Sequence, residues 1–157
     1  MAQLKDRLPR LKLVIFGKGF LNRQLQDQAT SLGLDDVVQF AGFREDLDEF
    51  VGCFDLFAHP ALAEGLGVAA LKAAAAGLPV VGFAAGGLNE AVADGKTGSL
   101  VDAEDAGALA AAIERLANEP ELAREFGAAG RQRMQSEFSI ATMADQHIAL
   151  YESVLNG

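Results

Sequence analysis

Residues 60 to 87 run Pro60-Ala-Leu-Ala-Glu64-Gly-Leu-Gly67-Val-Ala-Ala-Leu-Lys72-Ala-Ala-Ala-Ala-Gly77-Leu-Pro79-Val-Val-Gly-Phe-Ala-Ala-Gly86-Gly87. An apolar run, Asp55 to Ala58, comes before this stretch and is stopped by Pro60. Two glycines, Gly65 and Gly67, then open an alanine-rich helical pattern from about Gly67 to Ala76, and Pro79 to Phe83 forms the next apolar run. Strand, helix and strand in about thirty residues imply two parallel strands joined by a helical crossover.

The same alternation extends in both directions. Strands are expected at Leu11 to Phe16, Val37 to Phe40, Asp55 to Ala58, Pro79 to Phe83 and Ser99 to Val101. Helices are expected at about Leu21 to Leu32, Asp46 to Gly52, Gly67 to Ala76 and Leu88 to Ala93. Beyond the last strand, Leu109, Ile113 and Leu116 share a helical face within Asp105 to Asn118. Pro120 suits the first turn of a further helix to about Ser136, and Ser139 is placed to cap a terminal helix ending near Leu155. The fold class is therefore α/β: a three-layer, Rossmann-like parallel sheet with helices on both faces, plus C-terminal helices. Residues 1–157 form a single domain, without repeats or a low-complexity linker.

Composition narrows the function. Half of the residues are apolar and 22% are charged, enough for a real core. No apolar run approaches the roughly 18 residues of a membrane span, and the start lacks the apolar region of a signal peptide. A cytoplasmic location without a transmembrane segment is expected. A formal net charge of -9 repels polyanions, so no nucleic-acid partner is expected. The single cysteine, Cys53, excludes an internal disulfide, and its apolar neighbours suggest a buried, inert thiol.

Two places carry chemistry. Gly17-Lys18-Gly19 follows the first strand and opens a helix, but lacks the third glycine of a dinucleotide fingerprint. A tight turn bordering a ligand crevice fits better, since open α/β sheets bind at the carboxyl ends of their strands. At Glu64, the helix start near Gly67 offers free amides and a positive dipole end to a diphosphate. A carboxylate there suits a ligand whose hydroxyls lie beside its phosphates, as in a phosphorylated sugar, whereas capping of the helix is the purely structural alternative. His59 is expected to be a satisfied strand-end histidine rather than a catalyst, His147 a packing or solvated residue, and the aromatic and leucine positions core.

The chain resembles the donor-binding, C-terminal half of the retaining glycosyltransferases with two Rossmann-like domains, the group 1 type. The matching pieces are Val14-Ile-Phe-Gly17-Lys-Gly19, Val38-Gln-Phe-Ala-Gly42-Phe-Arg44, Asp55-Leu-Phe-Ala-His-Pro60, Glu64-Gly-Leu-Gly67, Ala73-Ala-Ala-Ala-Gly77-Leu-Pro79-Val-Val, Gly86-Gly87-Leu-Asn-Glu90 and Asp94-Gly-Lys-Thr-Gly98. Their order and spacing carry the resemblance over residues 11 to 155. It implies that Glu64 is the catalytic-site carboxylate beside the donor sugar, with Gly65, Leu66, Gly67 and Val68 near sugar and diphosphate. Gly17 and Lys18 would border the donor, and Gly42, Phe43 and Arg44 the nucleotide base. The donor is a nucleotide sugar, with no metal and no further cofactor.

The resemblance also exposes two departures. The second glutamate of the family's Glu-x7-Glu signature accepts the ribose hydroxyls, and that position is Lys72. Lysine has donors only, so Lys72 is expected to donate to a ribose oxygen, approach a phosphate, pair with a nearby acid or remain solvated. Family members also carry a further strand and helix before Leu11, whose loop holds the cationic clamp on the diphosphate. Without that first strand-helix unit, the sheet would have a gap between the Leu11 and Asp55 strands. The expected function is the donor half of a retaining glycosyltransferase, inactive alone and completed by an N-terminal acceptor domain or a symmetry-related chain. A non-catalytic nucleotide-sugar-binding module and part of a nucleotide-sugar epimerase are the alternatives. Met143, Leu150, Tyr151, Val154 and Leu155 form an apolar stripe on the terminal helix, which adds a homo-oligomer to the expected partners.

Overall fold

Val80 and Val81 are adjacent in strand β4 (Val80–Phe83), and both are fully buried. Successive strand side chains point to opposite faces, so two buried neighbours require cover on both sides of the sheet. Val80 packs with Ala70, Ala73 and Ala74 of helix α3 (Val68–Ala75) and Met134 of α6 (Pro120–Glu137). Val81 packs with Ala110, Ile113 and Leu116 of α5 (Ala106–Asn118), Phe126 of α6, and the fully buried Leu4 of the N-terminal turns. Three layers result, as the alternation of strands and helices implies. Small alanine side chains let α3 approach the sheet closely, which explains the alanine run that the sequence places there.

The computed structural model describes residues 1–156. The remaining elements are β1 (Leu13–Phe16), α1 (Asn22–Ser31), β2 (Val38–Gly42), α2 (Leu47–Phe50), β3 (Phe57–His59), α4 (Leu88–Ala91), β5 (Gly98–Val101) and α7 (Ile140–Leu155). Every strand pairing is parallel. β3, β4 and β5 form one sheet with β4 in the centre, and β1 and β2 form another. Among the described residues β1 and β3 do not pair, so the expected gap between these strands is present. Phe16 bridges towards the second sheet through Phe50 and Phe54, with ring centroids 5.9 and 5.8 Å away.

Local signals set the helix ends. The Asp105 side chain accepts from the Ala108 amide at 2.8 Å, Pro120 occupies the first turn of α6, and Ser139 accepts from the Thr142 amide at 3.0 Å. Three expectations need correction. The strand expected over Asp55 to Ala58 starts at Phe57, because β3 has a partner only in β4 and the pairing begins at Phe57 with Val80. Cys53 is exposed, because α2 passes into a 3-10 turn, Val51–Cys53, that directs Val51 and Phe54 to the core and Cys53 outwards. Phe20, Leu21, Phe43, Leu62 and Leu66 are exposed rather than core, since they sit on loops that project past the strand ends.

Candidate functional site

The loops leaving β1, β2, β3 and β4 carry the residues singled out in the sequence. Gly17 donates its amide to the Gly42 carbonyl at 2.8 Å, and the Lys18 ammonium lies 5.4 Å from the centre of the Phe43 ring. These contacts tie the first two loops together and leave Phe43 exposed. Arg44 is committed elsewhere: its Nε donates to Asp46 Oδ1 at 2.7 Å, Nη2 donates to Oδ2, and the guanidinium stacks over Phe50 at 5.3 Å. Hydrogen bonding within this pair raises the pKa of Arg44 and lowers that of Asp46.

Glu64 sits between β3 and α3. Its Oε2 lies 3.2 Å from Nε2 of His59, and its carbonyl accepts from the Gly87 amide at 3.2 Å. The His59 ring stacks on Phe57 and is only 14% exposed, whereas the Glu64 side chain is 33% exposed. His59 thus braces a carboxylate that still meets solvent. Gly86 and Gly87 press against the backbone of Glu64 and Gly65 so tightly that a Cβ on Gly87 would collide with the Gly65 carbonyl oxygen. The Gly86-Gly87 doublet was the sequence signal for this support, and the resemblance did not assign it to the site.

Gly67 takes the left-handed conformation, φ 73°, to turn the chain into α3, a position that suits glycine. No side chain caps α3, so the capping alternative for Glu64 is not realised, and the first-turn amides remain unclaimed by any cap. Leu66 and Val68 on either side are exposed. The site therefore presents a braced carboxylate beside an open helix start: acceptors for hydroxyls next to donors for an anion.

Lys72 lies farther along α3 and is not solvated alone. Its Nζ donates to both carboxylate oxygens of Asp48 on α2, at 2.7 and 3.0 Å. Lys72, Asp48 and Arg44 share the wall of a cavity of about 140 Å³, with Leu47, Val51, Phe57 and Ala69 as its apolar side. The structure thus joins Gly17, Lys18, Gly42 and Phe43 in one contact group, Arg44 and Lys72 in a second, and Glu64 to Val68 in a third. Sequence reasoning missed Asp48. It belongs to the acid-rich run Glu45-Asp46-Leu47-Asp48-Glu49, in which nothing singles it out.

The family model described as glycosyl transferases group 1 matches residues 1–133. The chain is 38% identical, over 140 residues, to the GDP-mannose-dependent alpha-(1-6)-phosphatidylinositol monomannoside mannosyltransferase of Mycolicibacterium smegmatis, covering 83% of this chain and 37% of that protein. Among solved structures, sucrose-phosphate synthase from Thermosynechococcus elongatus matches with a TM-score of 0.86 and 30% identity, over 99% of this chain and 41% of that one. The Anabaena protein HepE in complex with UDP matches with a TM-score of 0.86 and 26% identity, over 92% of this chain and 42% of that one. The chain therefore spans about two fifths of the length of these proteins.

Proposed function

The chain belongs to the glycosyl transferases group 1 family, and we propose that it is the part of a retaining glycosyltransferase that binds the nucleotide-sugar donor. The observation that carries this reading is the uncapped start of α3 beside Glu64, itself braced by His59. Sugar transfer breaks the bond between the anomeric carbon and the diphosphate oxygen and forms one to an acceptor hydroxyl, whose proton is given up. Negative charge grows on the departing diphosphate, and preorganised amides at a helix start stabilise such charge where it develops. Glu64 accepts hydrogen bonds from the sugar hydroxyls and fixes the ring relative to those amides. This chemistry needs no metal in our reading.

Because the chain spans about two fifths of its relatives' length, we place acceptor binding on another part of a longer polypeptide or on a second chain. Residues 1–157 by themselves then bind donor without transferring sugar. Exposed, unpaired Cys53 suits a reducing compartment, and we place the protein in the cytoplasm; among the described residues no helix is long and apolar enough to cross a membrane. The test is a thermal-shift screen against UDP-, GDP- and ADP-glucose and GDP-mannose, followed by a transfer assay with and without an added acceptor half. Stabilisation by a donor, with transfer only in the completed protein, supports the reading. Transfer by the isolated chain contradicts it.

A binding module without transfer chemistry is the second reading, favoured by the Lys72–Asp48 pair where the family signature has a glutamate. Donor binding without transfer in the completed protein would select it.

A further inference from the structure

We propose that Asp48, held by Lys72, is the acceptor for the vicinal diol of the donor's nucleoside, so that this chain recognises ribose through a carboxylate on α2. The inference rests on the reading that a nucleoside diphosphate lies along the start of α3.

The argument begins with lone pairs. A carboxylate has about four acceptor sites, two on each oxygen. Lys72 Nζ takes one on Oδ2 at 2.7 Å and one on Oδ1 at 3.0 Å. One site on each oxygen remains, and the Asp48 side chain is 62% exposed, so both remain accessible. Two acceptors on adjacent oxygens of one carboxylate match two hydroxyls on adjacent carbons. The third ammonium donor of Lys72 stays available for an ether or phosphate oxygen. Lys72 alone would offer a diol nothing but donors, and Asp48 supplies the acceptors that Lys72 lacks.

The surroundings support this assignment. The pair sits on the wall of the cavity of about 140 Å³ whose apolar side, Leu47, Val51, Phe57 and Ala69, can cover the carbon face of a furanose. Arg44, on the same wall, has its Nε and Nη2 committed to Asp46 and does not compete for Asp48. Glu45 lines the cavity too, but among the described residues the nearby cations pair with Asp46 and Asp48 instead. An ion pair as exposed as Lys72–Asp48 contributes little to stability, so substituting Asp48 tests recognition without unfolding the chain.

The test is isothermal titration of the full chain with UDP, GDP and ADP and with their 2′-deoxy counterparts. Wild type is expected to bind the best of the three ribonucleotides about tenfold more tightly than its deoxy form, the scale of one lost charged hydrogen bond. Asp48→Asn should bring that ratio close to one, whereas Glu49→Gln, outside the cavity wall, should leave it unchanged. Lys72→Glu should gain nothing, because it sets two carboxylates side by side. Wild-type binding without a ribose preference, or a preference that survives Asp48→Asn, overturns the proposal and leaves donor binding standing. Tighter ribonucleotide binding by Lys72→Glu also overturns it, and the absence of binding by all three overturns donor binding as well.

Discussion

His59 Nε2 lies 3.2 Å from Glu64 Oε2, across the loop that leads from β3 into α3. The imidazole is pinned by its stack on Phe57, so it holds the carboxylate in place. Glu64→Gln is expected to lower affinity for a sugar-carrying nucleotide by roughly ten- to a hundredfold, through loss of about 1.5–3 kcal/mol of charged hydrogen bonding. Affinity for the bare nucleoside diphosphate should hold. His59→Phe should show the same selective loss more weakly, and His59→Gln, which keeps a donor, should restore it. Titration calorimetry with each ligand pair checks this, and an equal loss for both ligands would show that Glu64 does not read the sugar.

Gly87 supports the same loop from the β4 side. Adding a methyl group there drives Cβ into the Gly65 carbonyl, and overpacking of this kind costs about 1–3 kcal/mol. Gly87→Ala is therefore expected to lower the melting temperature by several degrees, at roughly 2–4 °C per kcal/mol for a domain of this size. It should also weaken donor binding by displacing Glu64. A variant with unchanged melting would place this contact elsewhere.

The Arg44–Asp46 pair gives a pH expectation with a definite sign. Hydrogen bonding to Arg44 lowers the folded-state pKa of Asp46, so its contribution to stability is present above the ordinary carboxylate range. That contribution is lost as pH falls through the lowered folded value. Both side chains are exposed, so the effect on overall stability is small. Carbon-detected NMR titration should find Asp46 protonating below the ordinary aspartate range, and Arg44→Gln should move it back into that range.

Helix α7 leaves Met143, Leu150, Tyr151, Val154 and Leu155 exposed, and none of its residues is buried. Such a stripe favours association, with a second copy when the acceptor-binding part is absent. Light scattering on residues 1–157 should show association that grows with concentration and disappears in Tyr151→Glu/Val154→Lys. A monomer at high concentration would contradict this.

The sheet and helices were legible because their signals are local. Val80 and Val81 lie in a run apolar on both faces, Pro120 and Ser139 mark helix starts, and Gly67 marks the turn into α3. Cys53 was misplaced because one 3-10 turn decides which way it points, and no periodicity covers three residues. The pairing of Lys72 with Asp48 was illegible for a different reason. It joins positions 24 residues apart on two helices, which meet across one cavity only once the chain is folded. Glu64 was identifiable by its glycine neighbours, but its brace on His59 appears only once β3 is folded.

The central claim is that the opening turn of α3 holds the diphosphate of a nucleotide sugar. Amide NMR of the labelled chain, titrated with UDP, GDP and ADP, measures this directly. The Gly65 to Ala70 amides are expected to shift first and furthest with at least one of the three, and Glu64→Gln should leave those shifts in place. Shifts confined to other parts of the chain, or none with any of the three nucleotides, would contradict the account.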